Sequence, residues 1–507
     1  MSENLFSILK SRFPDDLTKT FIQAGNGQTF SYADMLARSA QYANVLTRLG
    51  LVPGDRIAVQ VQKSTEALMV YLGAIRAGAA FLPLNTAYTP AELSYFLGDA
   101  EPGVVVCRSS RLDDIRAIAG SANVETLGDG GEDGSLLALA DAAPTAFKEA
   151  DLNGDDLAAI LYTSGTTGRA KGAMLTQGNL SSNAEALATT WEFTPEDHLL
   201  HALPIYHTHG LFTATNTILY AGASMIFLPK FDAEETLSLL PQATTMMGVP
   251  TFYSRLLNCE GLTRDSVEHI RVFISGSAPL SPEVHKEFEF RTGHAILERY
   301  GMTETGMIAS NPYDGARRAG TVGFPLPGIE VRIADADSGK VLEQGEIGGI
   351  EVQGPNVFKG YWRMPDKTAE EFRKDGFFIT GDLGMIDDKG YLNIVGREKD
   401  LIISGGFNVY PAEIEVAIDE LPGVAESAVI GVPHPDFGEG VMAVVACKPG
   451  VNLSEDDVIT PLGDVLARFK QPKRVVFVDA LPRNAMGKVQ KKELRDKCSE
   501  TFQKPGN

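Results

Sequence analysis

The hydrophobic pattern of this chain switches repeatedly between two periods. Short apolar or alternating runs stand at Arg56 to Gln62, Phe81 to Leu84, Gly103 to Cys107 and Leu157 to Tyr162, as strands require. Between them lie segments with helical spacing. Ser31-Tyr32-Ala33-Asp34 is a capping-box start, and Gly50 closes that helix. Ser64 to Ala77 is a second helix. Thr89-Pro90-Ala91-Glu92 opens a third, with proline at its first position. Such alternation predicts a mostly parallel sheet with helices on its faces. It resumes through residues 155 to 310. From Gly320 to about Val395 the pattern becomes short β segments with glycine turns, at Gly345 to Val352 and Gly384 to Ile394. Gly396-Arg397-Glu398-Lys399-Asp400 is a charged break before the apolar run Leu401 to Ser404. The expected fold class is therefore α/β with α+β. A large N-terminal region of α/β layers plus a β-rich subdomain spans 1–396, a hinge 397–400, and a small α+β C-terminal domain 401–507. No internal repeat or low-complexity tract interrupts this order.

Composition narrows the picture. The 507 residues provide about three ordinary domain volumes. With 44% hydrophobic and 22% charged residues the chain is globular. No apolar run reaches the ~18 residues that span a bilayer. Met1 to Arg12 lacks the pattern of a signal peptide, and Gln503-Lys504-Pro505-Gly506-Asn507 is not a peroxisomal address. Cys107, Cys259, Cys447 and Cys498 are far apart, without metal or disulfide spacing, and a cytoplasmic location is expected. A net charge of −21 argues against nucleic-acid binding. It also means that an anionic substrate must be held by local cations against an unfavourable mean field. The acidic, glycine-rich loop at 128–134 would repel a pyrophosphate and reads as solvated surface.

Candidate chemistry begins at Thr163-Ser164-Gly165-Thr166-Thr167-Gly168-Arg169-Ala170-Lys171. The stretch follows an apolar strand. Its two glycines free the backbone to present N–H groups to one side. Four hydroxyls and the Lys171 ammonium add donors, a lining suited to phosphate oxygens. The spacing is not that of a Walker A loop.

Five further stretches accompany it: Ser275-Gly276-Ser277-Ala278-Pro279 after the strand Val272 to Ile274; Tyr300-Gly301-Met302-Thr303-Glu304-Thr305-Gly306 after the strand Ala295 to Arg299; Thr380-Gly381-Asp382-Leu383; the charged break at 396–400; and Pro482-Arg483-Asn484-Ala485-Met486-Gly487-Lys488. Each is weak alone. In this order, over nearly the whole chain, they resemble the adenylate-forming acyl-CoA synthetases. The resemblance implies activation of a carboxylate by ATP, release of pyrophosphate, and displacement of AMP by the thiol of coenzyme A.

The resemblance also implies roles. Thr163 to Lys171 would cradle the β- and γ-phosphates. Glu304 would hold Mg²⁺, and Thr303 would stand near the α-phosphate. Ser277, Ala278 and the run Glu298 to Met302 would wall the adenine slot, with Tyr300 stacked on the base and Gly301 and Met302 beside it. Asp382 and Arg397 would take the ribose. Lys488 would bridge the substrate carboxylate and the α-phosphate. The C-terminal domain would then turn at Lys399, and Ser404, Gly405 and Gly406 would line the pantetheine tunnel. Matching bacterial enzymes carry reversible acetylation at the position of Lys488, which implies an acetyltransferase and a deacetylase as partners.

The acyl pocket differs among members of this family. Tyr206-His207-Thr208-His209 has no acidic residue where amino-acid-activating members carry one. His207 resembles the gating imidazole of acyl- and aryl-CoA synthetases, and His209 reads as a structural histidine. Arg299 precedes the Tyr-Gly-Met-Thr-Glu signature, and Arg255 follows Val249-Pro250-Thr251 on a helix that walls the pocket. A guanidinium there is costly unless paired, and a second substrate carboxylate would pair it. Ser277 is a further candidate contact, and Thr208 and Met307 would bound the α-carbon. This pattern resembles the malonate-activating members. A short-chain or aryl monocarboxylate ligase, or a module that loads a carrier protein, remains open at this point.

Overall fold

In the computed structural model, residues 2–163, 170–405, 407–435, 437–463, 465–484 and 487–502 are described. The site rests on two large sheets. In the first, Leu297–Met302, Val272–Ser275, Thr245–Gly248, His198–His201, Ser224–Phe227 and Thr20–Ala24 lie side by side and parallel. Antiparallel strands close both edges, Thr29–Ser31 at one and Gly306–Ser310 with Phe324–Pro325 at the other. In the second, Leu157–Thr163, Ala80–Pro83, Arg56–Gln60, Val104–Cys107 and Asn123–Thr126 are parallel, with Lys171–Thr176 and Gly360–Tyr361 added antiparallel.

The expected helix starts are observed. Both capping boxes form, Ser31 with Asp34 and Thr89 with Glu92, and open the helices Tyr32–Arg48 and Pro90–Ala100. Ser64 caps Thr65–Ala77. That helix is apolar on every side, and every residue from Ala67 to Ala77 is buried, as a helix packed on both flanks must be. Gly78 ends it at φ +79, where a side chain would be strained.

The β-rich stretch is a four-stranded antiparallel sheet of Glu330–Ala334, Gly348–Gln353, Phe378–Ile386 and Leu392–Arg397. The chain then turns through Glu398–Asp400 into a different sheet, where Phe407–Val409, Ile402–Ser404, Gly438–Cys447, Val424–His434 and Arg474–Val478 carry the helices Pro411–Asp419 and Glu455–Leu462. Among the described residues no helix is long and apolar enough to cross a membrane.

One expectation is corrected. The strand before the Tyr300 signature does not end at Arg299. It runs Leu297–Met302 and folds back on Gly306–Ser310. Glycine makes the reversal possible: a Cβ at Gly301 would lie 2.2 Å from the Gly306 carbonyl oxygen, and Gly306 has φ +58. Half of the signature is therefore hairpin strand, and Thr303 to Thr305 form its tip.

Candidate active site

Loops leaving the carboxyl ends of the parallel strands in the first sheet converge on one cleft, where open α/β sheets bind ligands. Val272–Ser275 delivers Ser277 and Ala278, and Leu297–Met302 delivers Arg299, Tyr300 and the Glu304 tip. Phe378–Ile386 brings Asp382 from the antiparallel sheet.

At the nucleotide end Tyr300 is buried, and its hydroxyl donates to Asp382 Oδ2 at 2.6 Å. Arg397 pairs with Asp382 Oδ1 at 3.2 Å. Burial, and then the Asp382 carboxylate, hold the Tyr300 phenol far above its usual range. Ser277 adopts φ +75, a left-handed conformation that a non-glycine residue rarely keeps without a local reason. Its hydroxyl meets His209 Nδ1 at 3.1 Å. Glu298 accepts from the Gly320 N–H at 3.1 Å, and burial pushes its pKa up to about 8. A carboxyl raised from 4.5 to about 8 contributes full stability below pH 4.5, and the contribution is lost as pH rises through about 8. Glu298→Gln, which keeps the acceptor, should therefore flatten the fall of Tm between about pH 5 and about pH 9. Parallel melting curves of the variant and wild type over this range would refute it.

At the phosphate end Thr163 and Lys171 face each other across a hairpin. Ser164 to Arg169 lie outside the described residues. Ala170 accepts from the Tyr95 hydroxyl through its carbonyl at 2.8 Å. Two residues absent from the motif analysis complete this end. Lys171 Nζ pairs with Glu371 Oε1 at 2.7 Å and stands 4.0 Å from the centre of the Tyr361 ring. The Tyr361 hydroxyl lies 2.5 Å from Glu371 Oε2 and 3.1 Å from Glu304 Oε1. Burial raises the Glu304 pKa, while the Tyr361 hydroxyl and Lys171 act in the opposite sense.

Glu304 is 6% exposed and has the Thr163 hydroxyl at 3.4 Å. Among the described residues no group of three or more His, Cys, Asp or Glu side chains forms a metal cluster. One buried carboxyl beside a hydroxyl suits a cation that shares its shell with phosphate oxygens, as Mg²⁺ does. Glu304→Gln should reduce apparent Mg²⁺ affinity, read from the metal dependence of pyrophosphate release, by at least the roughly tenfold that loss of an outer-shell partner costs. An unchanged metal dependence in a folded variant would remove Glu304 from the metal site.

At the acyl end Arg299 is 4% exposed. Its Nε and Nη2 have no hydrogen-bond partner, and no carboxylate pairs with it among the described residues. Burial lowers its pKa to about 9. Gly276 makes room for it, since a Cβ there would lie 2.3 Å from the guanidinium carbon. Thr208 Oγ1 and His209 Nε2 are likewise buried without partners. Met307 is buried, its backbone held from both sides by the Asn183 amide. His207, with its pKa lowered to about 4 by burial and then by Lys488, is a neutral imidazole at physiological pH.

Arg255 is not buried. It is exposed on the helix Pro250–Leu257, which buries Tyr253 and Leu256. No hydrogen bond or ion pair ties it to the acyl end among the described residues. Helical phase explains this, because residue 255 turns away from the face that carries 253 and 256.

Lys488 enters from the C-terminal part of the chain. Its side chain keeps access to solvent, yet it stands in a crowded cleft. That crowding lowers its pKa, followed by Arg397, with Asp382 and Glu304 acting in the opposite sense and Arg299 also lowering it. Residues from both ends of the cleft thus act on one ammonium. Ser404 is buried, and Gly405 has φ +60 with its N–H bonded to the Phe437 carbonyl at 2.9 Å. Gly406, Ala485 and Met486 lie outside the described residues. Lys399 is exposed on the turn Glu398–Asp400.

Comparisons with known proteins bear on family and fold. Residues 10–362 match the family model described as AMP-binding enzyme, and residues 413–488 match the AMP-binding enzyme C-terminal domain. ATP-bound MatB from Rhodopseudomonas palustris is 58% identical over 99% of this chain and 100% of that one, with a TM-score of 0.97. The apo form of MatB superposes at 0.87. A malonate–CoA ligase of Arabidopsis thaliana is 32% identical over 97% of this chain and 90% of its own length. A feruloyl-CoA synthase of Amycolatopsis is 36% identical over 92% and 94%.

Proposed function

The chain belongs to the AMP-binding enzyme family as an AMP-forming acyl-CoA ligase, and from that premise we propose that it joins malonate to coenzyme A. Relatives of similar identity carry names as different as malonate–CoA ligase and feruloyl-CoA synthase, so overall identity does not choose the acid. The observation that carries the reading is Arg299, a buried guanidinium without a carboxylate partner among the described residues. A second carboxylate on the substrate satisfies it with bidentate geometry. Thr208 and His209 supply further donors and acceptors without partners in the same region, and Met307 and Thr208 bound the α-carbon. The name of the malonate–CoA ligase relative fits the same acid.

In the first half-reaction, one carboxylate oxygen of malonate attacks the α-phosphorus of ATP and pyrophosphate leaves. Lys488 provides positive charge where it accumulates, on the attacking and α-phosphoryl oxygens. Tyr300, Ser277 and Ala278 position the adenine, and Asp382 and Arg397 the ribose. Thr163 and Lys171 hold the outer phosphates, with Glu371 as the resting partner of the lysine. Glu304 would hold Mg²⁺, which neutralises phosphate charge when bound. In the second half-reaction the thiol of coenzyme A attacks the acyl carbon and AMP leaves. Movement of the 401–507 domain about 397–400, at Lys399, would then exchange Lys488 for Ser404 and Gly405. Gating of this kind orders two half-reactions in one cleft.

The test is pyrophosphate release with a panel of mono- and dicarboxylates, with and without coenzyme A. Malonate should give the highest kcat/KM. Equal or better use of propionate, benzoate or ferulate would replace the reading by that of a monocarboxylate ligase.

A further inference from the structure

Lys63 belongs to none of the motifs and lies outside the site just described. It precedes Ser64, in the connection between the strand Arg56–Gln60 and the helix Thr65–Ala77. Its side chain is 8% exposed, and no carboxylate pairs with it among the described residues. It crosses from the second sheet to the first. There Nζ donates to the His201 carbonyl at 2.7 Å, meets His201 Nδ1 at 2.9 Å, and stands 4.1 Å from the centre of the Phe227 ring. Three partners surround its terminal nitrogen.

His201 passes the contact on. It is fully buried at the end of the strand His198–His201, and its Nε2 lies 2.9 Å from the Gly210 carbonyl. A carbonyl only accepts, so Nε2 carries the hydrogen and Nδ1 presents its lone pair to Lys63. The Thr215 hydroxyl donates to the same carbonyl at 3.0 Å. Gly210 lies in a wide helical turn of π type, His209–Asn216, a conformation concentrated at functional sites. It has no slack, because a Cβ there would lie 2.1 Å from the Pro204 carbonyl oxygen. The three residues just before it, His207, Thr208 and His209, face the acyl end of the cleft.

We propose that Lys63 is a positioning residue for the acyl pocket: through His201 it clamps the Gly210 carbonyl and so fixes the turn that presents His207, Thr208 and His209 to the carboxylate substrate. The inference deepens the reading of that pocket as the acid-binding site. A loosened turn misplaces Thr208 and His209, while the adenine and ribose contacts stand on other strands. The effect should therefore fall on the acid and spare the nucleotide.

Lys63→Met keeps the stem length and removes the donors. With the acid that the carboxylate panel ranks first, KM for that acid should rise on the order of tenfold, the cost of losing an outer-shell support, while KM for ATP stays within about twofold. In a cycle with His201→Phe, the double variant should be no worse than the poorer single one, because both act through one carbonyl. Equal changes in both KM values, or additive losses, overturn the proposal. Thr215→Val, nearly isosteric and on the same carbonyl, should show a weaker acid-specific rise even where Lys63→Met does not fold; an unchanged acid KM there overturns the clamp. If malonate is not the preferred acid, the panel shows it separately, whatever the clamp does.

Discussion

Lys488→Ala should stop adenylation while leaving thioester formation from supplied acyl-adenylate nearly intact. This ammonium is within the influence of Asp382, Glu304, Arg397 and Arg299, with His207 beside it, which supports the proposal that it acts where the attacking carboxylate and the α-phosphate meet. Charge develops there only during the first half-reaction. Removing one donor aimed at developing charge costs on the order of a hundredfold to a thousandfold in rate. On the proposed domain movement the second half-reaction uses a different face of the C-terminal domain and should be spared. ATP-dependent pyrophosphate release at the wild-type rate would exclude the role. Acetylation of Lys488 removes the same charge. A uniformly acetylated sample should behave like the alanine variant. Full activity of that sample would contradict this.

Arg299→Ala should collapse the use of malonate. A buried guanidinium–carboxylate contact broken on one side costs about 3–5 kcal/mol, which corresponds to roughly a hundredfold to a few thousandfold in kcat/KM. Acetate and propionate have no second carboxylate, so their kcat/KM should change far less. Apo stability should not suffer, because Arg299 has no carboxylate partner to lose among the described residues and its burial is itself costly. Equal losses for malonate and propionate would mean that Arg299 shapes the nucleotide site through its neighbour Tyr300 instead.

Much of this site could be read along the chain because its parts are local. Glycine and hydroxyl runs such as Thr163 to Lys171, and the signature ending in Glu304, keep their chemistry within a few residues. The motif Pro482 to Lys488 is equally compact. Residues recognised through such runs do converge: Tyr300 bonds Asp382 across 82 positions, and Arg397 joins them. Glu371 and Tyr361 were not visible in this way. Their roles exist only because a strand at Gly360–Tyr361 pairs with Lys171–Thr176, bringing Glu371 to Lys171 across 200 positions. Lys63 and His201 are separated by 138 positions and lie in different sheets. Arg255 shows a different dependence. Its place on a pocket helix was legible, but the face it occupies depends on what the helix packs against.

By itself the sequence determined the elements and their order. The capping boxes at Ser31 and Thr89, the apolar strand runs and the glycine turns act within a few residues, where propensity and hydrogen bonding are decided by neighbours in the chain. It also determined the family, since the phosphate loop, hairpin signature and late lysine motif are contiguous. Only the tertiary structure decided which cations stand without carboxylates. Long-range burial leaves the Arg299 guanidinium desolvated and without a carboxylate among the described residues, and leaves Arg255 exposed. Desolvation is set by all the atoms that surround a group, most of them distant in sequence, so it becomes defined only when the sheets and domains close around the cleft.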